Sequence, residues 1–489
     1  MLDRKQFLMG VGAVAAAPGI ALGQTPSGLT AEVADFVAAT RFEDLPPELI
    51  ELSKKHILDC LGLALAGEKA ETGPLVRRYL QTLGAGPGPA TVLGTGLAAA
   101  PRFAAFANGV AIHADDYDDT QLATAKDRTY GLLTHPSVTA LPAALAVSEG
   151  LGASGRDFML AYHLGVEVET KIAEASSPRA YETGFHSTGL FGVFGAAAAA
   201  AKAQGLDAKG VRMALGVAGA QASGLRENFG TMTKPFQAGH AAEGGVMAAS
   251  LAAIGWTAAD NILEAPNGLF RAAAGGFDMA AISGKLGKPW SFLAPGASIK
   301  PYPSGSLTHP AMDEMGRLVL ANHLKPDQIE AIRVGANKGM LSALIRHRPT
   351  TGLEGKFSME YCMAVLVADG KAGLGQFTDE AVNRPVVQAL LRRVEFYNNP
   401  ASDAAGVDKM RSLIEIRLTD GRTIAGGVVD YARGSPQIPM SFQDETEKFR
   451  DCAGYAGLSV GAADKVIAQV QGLERLSDIR ALTALVARA

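Results

Sequence analysis

A chain of 489 residues with 48% hydrophobic residues is long enough to build two cores, and its formal charge of -4 offers no basic face for nucleic acid. Aromatic residues make up only 6% while glycine numbers 57, which favours closely packed helices over a sheet-rich fold. The three cysteines, Cys60, Cys362 and Cys452, lie far apart without metal or iron–sulfur spacing; an odd count argues against a disulfide scaffold, and each reads as a small buried hydrophobe.

At the N-terminus, Asp3-Arg4-Lys5-Gln6-Phe7-Leu8 precedes an apolar run from Met9 to Leu22 and the small-residue site Ala21-Leu22-Gly23. A basic start, a short apolar stretch and a small-x-small site read as a signal peptide over residues 1–24, too short for a stable membrane anchor. It resembles a twin-arginine signal with Arg-Lys in place of Arg-Arg. The expected location is the periplasm, with the cytoplasm as the alternative. No membrane association is expected once the signal is removed.

From Thr30 to Leu293 the pattern is helical. Apolar residues recur at three- and four-residue spacing from Leu29 to Ala66, with Pro46-Pro47 marking a helix start. Ala90–Leu93 is a short apolar segment after a Gly/Pro loop. Helices are expected over 139–149, 158–174, 191–203, 211–223 and 241–254. The run Gly192–Lys202 is apolar enough to suggest a membrane span, but its length and small residues fit a buried helix.

Beyond Lys300 the texture changes. Ile329–Val334 and Leu413–Leu418 largely alternate apolar and polar residues, as half-buried strands do, and Asp420-Gly421 signals a hairpin into Thr423-Ile424. Val394–Phe396 is a third strand candidate, and helices are expected over 311–323, 360–368 and 380–392. After Pro439 helix returns, over 444–453 and 462–486. The expected fold is mainly α: a large, discontinuous helical domain (28–296 and 439–489) carrying a smaller α+β lid domain (297–438).

Polar clusters interrupt these helices. His113-Ala-Asp115-Asp116-Tyr-Asp118-Asp119-Thr120 packs four carboxylates into five residues between apolar runs. Like charges so close need partners or a retained proton. A solvated helix start would tolerate acids, yet it would not call for His113 and His135 beside them. Thr134-His135-Pro136-Ser137 and Gly184-Phe-His186-Ser-Thr-Gly189 each place a histidine where a helix can begin. The positive end of the helix dipole disfavours imidazolium there, leaving neutral rings suited to acid–base work. Gly230-Thr-Met-Thr-Lys234-Pro-Phe-Gln237-Ala-Gly-His240 and Lys300-Pro-Tyr302-Pro-Ser304-Gly305 supply two lysines, each followed by proline, suited to neutralise substrate carboxylates. His56, His163, His309, His323 and His347 read as structural.

No phosphate loop or GxGxxG follows a strand, so these bases, acids and cations suit proton chemistry beside a carboxylate without cofactor or metal: dehydration, decarboxylation or isomerisation. The acidic run also comes close to the DDxxD pattern of isoprenoid synthases. No second acidic motif follows on a later helix, and aromatics are sparse where a carbocation would need them.

The ordered motifs, closing with Gly434-Ser-Pro-Gln-Ile-Pro-Met440, resemble the MmgE/PrpD family over nearly all of the chain after Thr30. That family includes 2-methylcitrate dehydratase, cis-aconitate decarboxylase and iminodisuccinate epimerase. The resemblance implies a helical domain with an α+β lid, usually a homodimer, and an active site between the two domains. Carried over by motif, its catalytic residues fall on Asp116, Thr120, His135 and His186. Its substrate-binding residues fall on Lys234, Lys300, Tyr302 and, in Lys356-Phe-Ser-Met-Glu-Tyr361, on Tyr361. Three positions depart from the pattern: Gln237 stands where histidine is frequent, Gln121 replaces a histidine, and Ser304-Gly305 replaces Ala-His. The expected function is a cofactor-independent, 2-methylcitrate dehydratase-like lyase for a small hydroxy-carboxylic acid. The alternatives are an isomerase, epimerase or decarboxylase of a small dicarboxylate, and a non-catalytic carboxylate-binding protein.

Overall fold

The computed structural model describes residues 28–122, 133–176, 179–406 and 408–488. The signal peptide expected over 1–24 lies outside these residues.

Two hydrophobic cores divide the chain. One gathers residues from Leu29 to Phe292 and again from Phe449 to Val486. The other gathers residues from Leu307 to Leu418. The chain therefore builds most of a helical body, leaves it to form a second unit, and returns to finish the first.

The body comprises α1 (Leu29–Ala39), α2 (Pro47–Gly67), α3 (Thr72–Thr82), the hairpin β1 (Ala90–Val92) and β2 (Leu97–Ala99), α4 (Pro101–His113), α5 (Pro136–Leu151) and α6 (Gly155–Ala175). It continues through α7 (Arg179–Glu182), α8 (Ser187–Ala203), α9 (Ala208–Gly219), α10 (Thr233–Ala253) and α11 (Leu269–Ala274). Helices α2, α4 and α5 start on proline, whose missing N–H costs nothing in the first turn. The alanine-rich α8, buried from Ser187 to Ala201, is packed against α5, α6, α9 and α10. Its crossing with α6 requires bare backbone: a Cβ on Gly165 would lie 2.8 Å from the Gly195 carbonyl oxygen, and one on Gly195 2.7 Å from that of Gly165. Among the described residues no helix is long and apolar enough to cross a membrane.

The second unit comprises α12 (His309–Asn322), β3 (Ile329–Ala336), α13 (Lys338–Ala343), α14 (Gly352–Gly355), α15 (Met359–Asp369), α16 (Asp379–Val382), α17 (Pro385–Leu391), β4 (Val394–Asn398), α18 (Pro400–Ala405), β5 (Ser412–Leu418) and β6 (Thr423–Val429). Its sheet runs in the order β4-β3-β5-β6, parallel between β3 and β4 and antiparallel elsewhere. Gly421 turns the β5–β6 hairpin with φ of 88°, the left-handed conformation glycine adopts freely. Helices α19 (Phe442–Ala456), α20 (Val460–Gln471) and α21 (Arg480–Thr483) complete the body.

The fold is mainly α, as expected. Two expected helices are broken. The 380–392 segment splits into α16 and α17 because Pro385 cannot continue the first, and the 462–486 segment ends as a long helix at Gln471, before Gly472. Strand β2 was not signalled, three residues being too short for a periodicity.

Burial leaves three histidines neutral inside this fold. It pulls His163 and His309 down to about 3, and His113 to about 4 against the opposing pull of Asp118. Such groups take up protons more readily when unfolded, so the stability they represent is complete above pH 6.5 and is lost as pH falls towards 4 and 3. Neither nitrogen of His163 has a hydrogen-bond partner among the described residues. Urea unfolding at pH 7.5 and 5 tests this. The stability lost over that interval should be smaller in His163→Phe by about 2 kcal/mol; an unchanged loss would contradict the assignment.

Candidate active site

Four helix ends meet at one place. Helix α4 closes on His113, α5 and α8 open behind His135 and His186, and Lys234 lies in the first turn of α10. Between α4 and α5 the chain makes a tight turn at Asp116, whose φ of 50° is a left-handed conformation that Asp tolerates better than most residues. Thr120 then pairs its backbone with Ser298, which brings Lys300 alongside. The result is a cavity of about 50 Å³ lined by Asp116, Thr120, His135, His186, Lys234 and Lys300. Phe229, Leu307, Leu344 and Phe357 add an apolar part to the lining.

Each acid of the Asp-rich motif has its own partner. Asp115 pairs with Lys356 of the second unit at 2.6 Å. Asp116 lies 2.6 Å from Lys234 Nζ and 3.2 Å from Lys300 Nζ, and Lys300 also donates to the Asp116 carbonyl at 2.7 Å. Asp118 accepts from His113 Nδ1 at 2.8 Å and lies 3.2 Å from His135 Nδ1. Asp119 accepts from His56 Nδ1 at 2.7 Å and from Ser137 Oγ at 2.5 Å, and Ser137 in turn meets the Tyr162 hydroxyl. From behind, Lys448 of α19 pairs with Asp59 and donates to the Tyr117 carbonyl.

These partners decide the protonation states. Burial opposes ionisation of Asp116, but the two ammonium groups outweigh it and hold its carboxyl far below the usual range. Burial likewise opposes ionisation of Asp118, and the two imidazoles beside it win, keeping it a carboxylate. Burial lowers the pKa of Lys300 against the pull of Asp116 and Asp118, making it a readier proton donor than an exposed lysine. Burial also lowers His135, where Asp118 opposes the effect, and lowers His186 further, with Lys234 and His113 adding to it. His135 Nδ1 faces the Asp119 carbonyl at 2.9 Å as well as Asp118, so the ring proton belongs on Nδ1 and the lone pair on Nε2. His113 Nε2 accepts from Lys234 at 2.6 Å.

Six of the eight residues expected from the sequence line the cavity. The ring centres of His135 and His186 are 6.3 Å apart. The other two expected residues are not in the lining. The Tyr302 hydroxyl donates to Asp313 and its ring packs on His309, because the chain turns back there onto α12. Tyr361, in the first turn of α15, is buried in the second unit's core against Phe377, with its hydroxyl on the Gln376 carbonyl. His113 and Asp118 were part of the motif but had been given no role. Their spacing, five residues across a helix end, was a usable signal. His56, expected to be structural, holds Asp119, while Phe229 and Phe357 carried no sequence signal.

Among the described residues two sets of side chains have ligand atoms close enough to hold a metal ion: His113, His135 and His186, and His113, Asp116, Asp118 and His135. Both depend on His113, whose nitrogens are engaged by Asp118 and Lys234. The Lys234 ammonium already brings a positive charge to that point.

Family models for the MmgE/PrpD N-terminal and C-terminal domains match residues 31–281 and 302–473. The chain is similar to cis-aconitate decarboxylase of Homo sapiens, 30% identical over 468 residues that cover 94% of each chain. The Mus musculus enzyme is 30% identical over 473 residues, covering 94% of this chain and 93% of its own. The Aspergillus terreus enzyme is 27% identical over 485 residues, covering 94% and 96%.

Asp116→Asn keeps the turn, since Asn also tolerates the left-handed conformation, but leaves two buried ammonium groups without their carboxylate. Stability at pH 7 should fall by about 3 kcal/mol in chemical denaturation. Loss of less than about 1 kcal/mol would mean that the ion triad is not what holds this junction.

Proposed function

The chain belongs to the MmgE/PrpD family, and from that premise we propose that it is a cofactor-independent lyase that eliminates water from a small hydroxy-carboxylic acid. The observation that carries this reading is an imidazole backed by a carboxylate, His135 on Asp118, facing a cavity that also holds two buried ammonium groups. Asp118 stabilises the imidazolium that forms when His135 Nε2 takes the proton α to the substrate carboxylate. Lys234 holds that carboxylate and the charge that develops on it. Lys300, with its lowered pKa, gives a proton to the departing hydroxyl, which leaves as water as the C–O bond breaks. His135 ends with one proton more and Lys300 with one fewer, and solvent restores both. Asp116 spaces the two ammonium groups, and Thr120, 3.2 Å from His135 Nδ1, helps to orient the ring.

Decarboxylation is the second reading. It is favoured by the names of the relatives and by the apolar part of the lining, Phe229, Leu344 and Phe357, which would desolvate a carboxylate and so ease loss of carbon dioxide. The same lysines would hold the resulting carbanion, which takes a proton from Lys300 where the carbon dioxide has left, solvent restoring the lysine. Export by residues 1–24 belongs to the proposal on the strength of their basic start, apolar run and small-x-small site, and assembly as a homodimer on the strength of the family resemblance.

The test is incubation of the purified mature protein with hydroxy-di- and tricarboxylates and with cis-aconitate, products being read by mass. Loss of water supports the first reading and loss of carbon dioxide the second. Unchanged mass with solvent deuterium incorporated would point to an isomerase or epimerase, and binding without turnover to a carboxylate-binding protein. With the active acid identified, His135→Gln should lower kcat by about 100-fold or more with an unchanged circular dichroism spectrum. A chelator should leave the wild-type rate unaltered. Full activity in His135→Gln would remove that residue from the chemistry.

A further inference from the structure

We infer that Gln237 is a positioning residue that holds His186 in its Nδ1–H form, so that this wall of the cavity is a fixed hydrogen-bond acceptor and takes a hydroxyl or amine of the ligand, not one of its carboxylates. The part concerning the ligand rests on the carboxylic-acid reading above; the part concerning the tautomer does not.

The orientation of the Gln237 amide is set by backbone. Its Nε2 donates to the Leu225 carbonyl at 3.0 Å, which turns Oε1 towards His186 Nδ1 at 2.7 Å. Reversing the amide would set its oxygen against the Leu225 carbonyl oxygen, two acceptors with no proton between them. The backbone on both sides is itself tied together: Phe185 bridges to Leu225, and His186 N–H donates to the Gly224 carbonyl at 3.0 Å. An amide oxygen only accepts, so the imidazole proton is on Nδ1 and Nε2 carries the lone pair. That Nε2 is buried and has no hydrogen-bond partner among the described residues, while His186 lines the cavity.

The groups facing the ring keep it so. Burial and the Lys234 ammonium disfavour a second proton on His186, and the rings of His113, stacked at 5.9 Å, His135, at 6.3 Å, and Phe229, edge-on at 5.2 Å, enclose it. His135 has Asp118 behind it; His186 has a neutral amide. The two rings carry the same tautomer yet differ in what they can become: His135 can turn into an imidazolium, whereas His186 stays an acceptor. A carboxylate oxygen against that lone pair would set two acceptors face to face in a dry site, and a hydroxyl would satisfy it.

Nitrogen-15 NMR of histidine-labelled protein tests the tautomer, with His186 identified by its loss from the His186→Gln spectrum. The protonated nitrogen should be Nδ1 throughout pH 6 to 9. Gln237→Glu should bring an imidazolium signal for His186 into that range. An Nε2–H form in the wild type, or a Gln237→Glu spectrum unchanged from it, would overturn the assignment. The ligand is tested by calorimetry with two pairs of acids that differ by one hydroxyl, malate with succinate and citrate with tricarballylate. In whichever pair binds, the hydroxy acid should bind about fivefold to tenfold more tightly to the wild type. That advantage should shrink or reverse in Gln237→Glu, where the ring becomes a donor. Equal affinities within a pair would overturn the ligand assignment. Failure of all four acids to bind would count against both the carboxylic-acid reading and the ligand assignment, and the NMR spectrum would still decide the role of Gln237.

Discussion

The Asp116 carboxylate and the two ammonium groups on either side of it set the terms for the rest of the structure. All three are out of water, and a buried charge is tolerable only when paired and hydrogen-bonded. The two lysines come from different parts of the chain. Lys234 opens a helix of the body, and Lys300 lies on the stretch that leaves the body for the second unit. Satisfying one carboxylate therefore docks the start of the second unit against the body. Asp115 with Lys356, and Ser306 with Thr120, fasten the same junction.

The reactive groups gather at helix ends. An alanine- and glycine-rich bundle brings backbones close, and the long polar side chains it buries in mid-helix, such as Glu167 and Glu169 of α6, are taken up by hydrogen bonds with neighbouring segments. The ends of α4, α5, α8 and α10 carry the three histidines and Lys234, and there the unpaired backbone groups and dipoles act on them directly. Three of these ends are N-termini, whose positive field works with burial to keep the imidazoles neutral. Asp118 is the counterweight that makes one of them a base. It accepts from both His113 and His135, so a single carboxylate orients the ring that supports Lys234 and the ring that faces the cavity.

The four clustered acids illustrate how far local sequence can be read. Their number and their apolar flanks demanded partners, and the partners exist: Lys356, Lys234 with Lys300, His113 with His135, and His56 with Ser137. Nothing in the run of residues says which acid meets which partner, since the partners lie from five residues to more than two hundred away. Tyr361 makes the opposite point. Its motif placed it near the site, yet its position in the first turn of α15 turns the ring into the second core, because that core must be filled. Phe229 and Phe357 reach the cavity from two different units and were invisible as a pair.

What the sequence determined by itself was the helical character of the body, the α+β character of the insert, the histidines at helix starts and the family. Periodicity, proline placement and motif order are local properties and survive without a structure. What only the tertiary structure decided was the charge state and the tautomer of each group in the cavity. Those depend on burial and on distances between atoms from separate elements. The change from a frequent histidine to Gln237 is visible in the sequence as a single letter. Its consequence for His186 exists only because Leu225 sits where it can turn the amide.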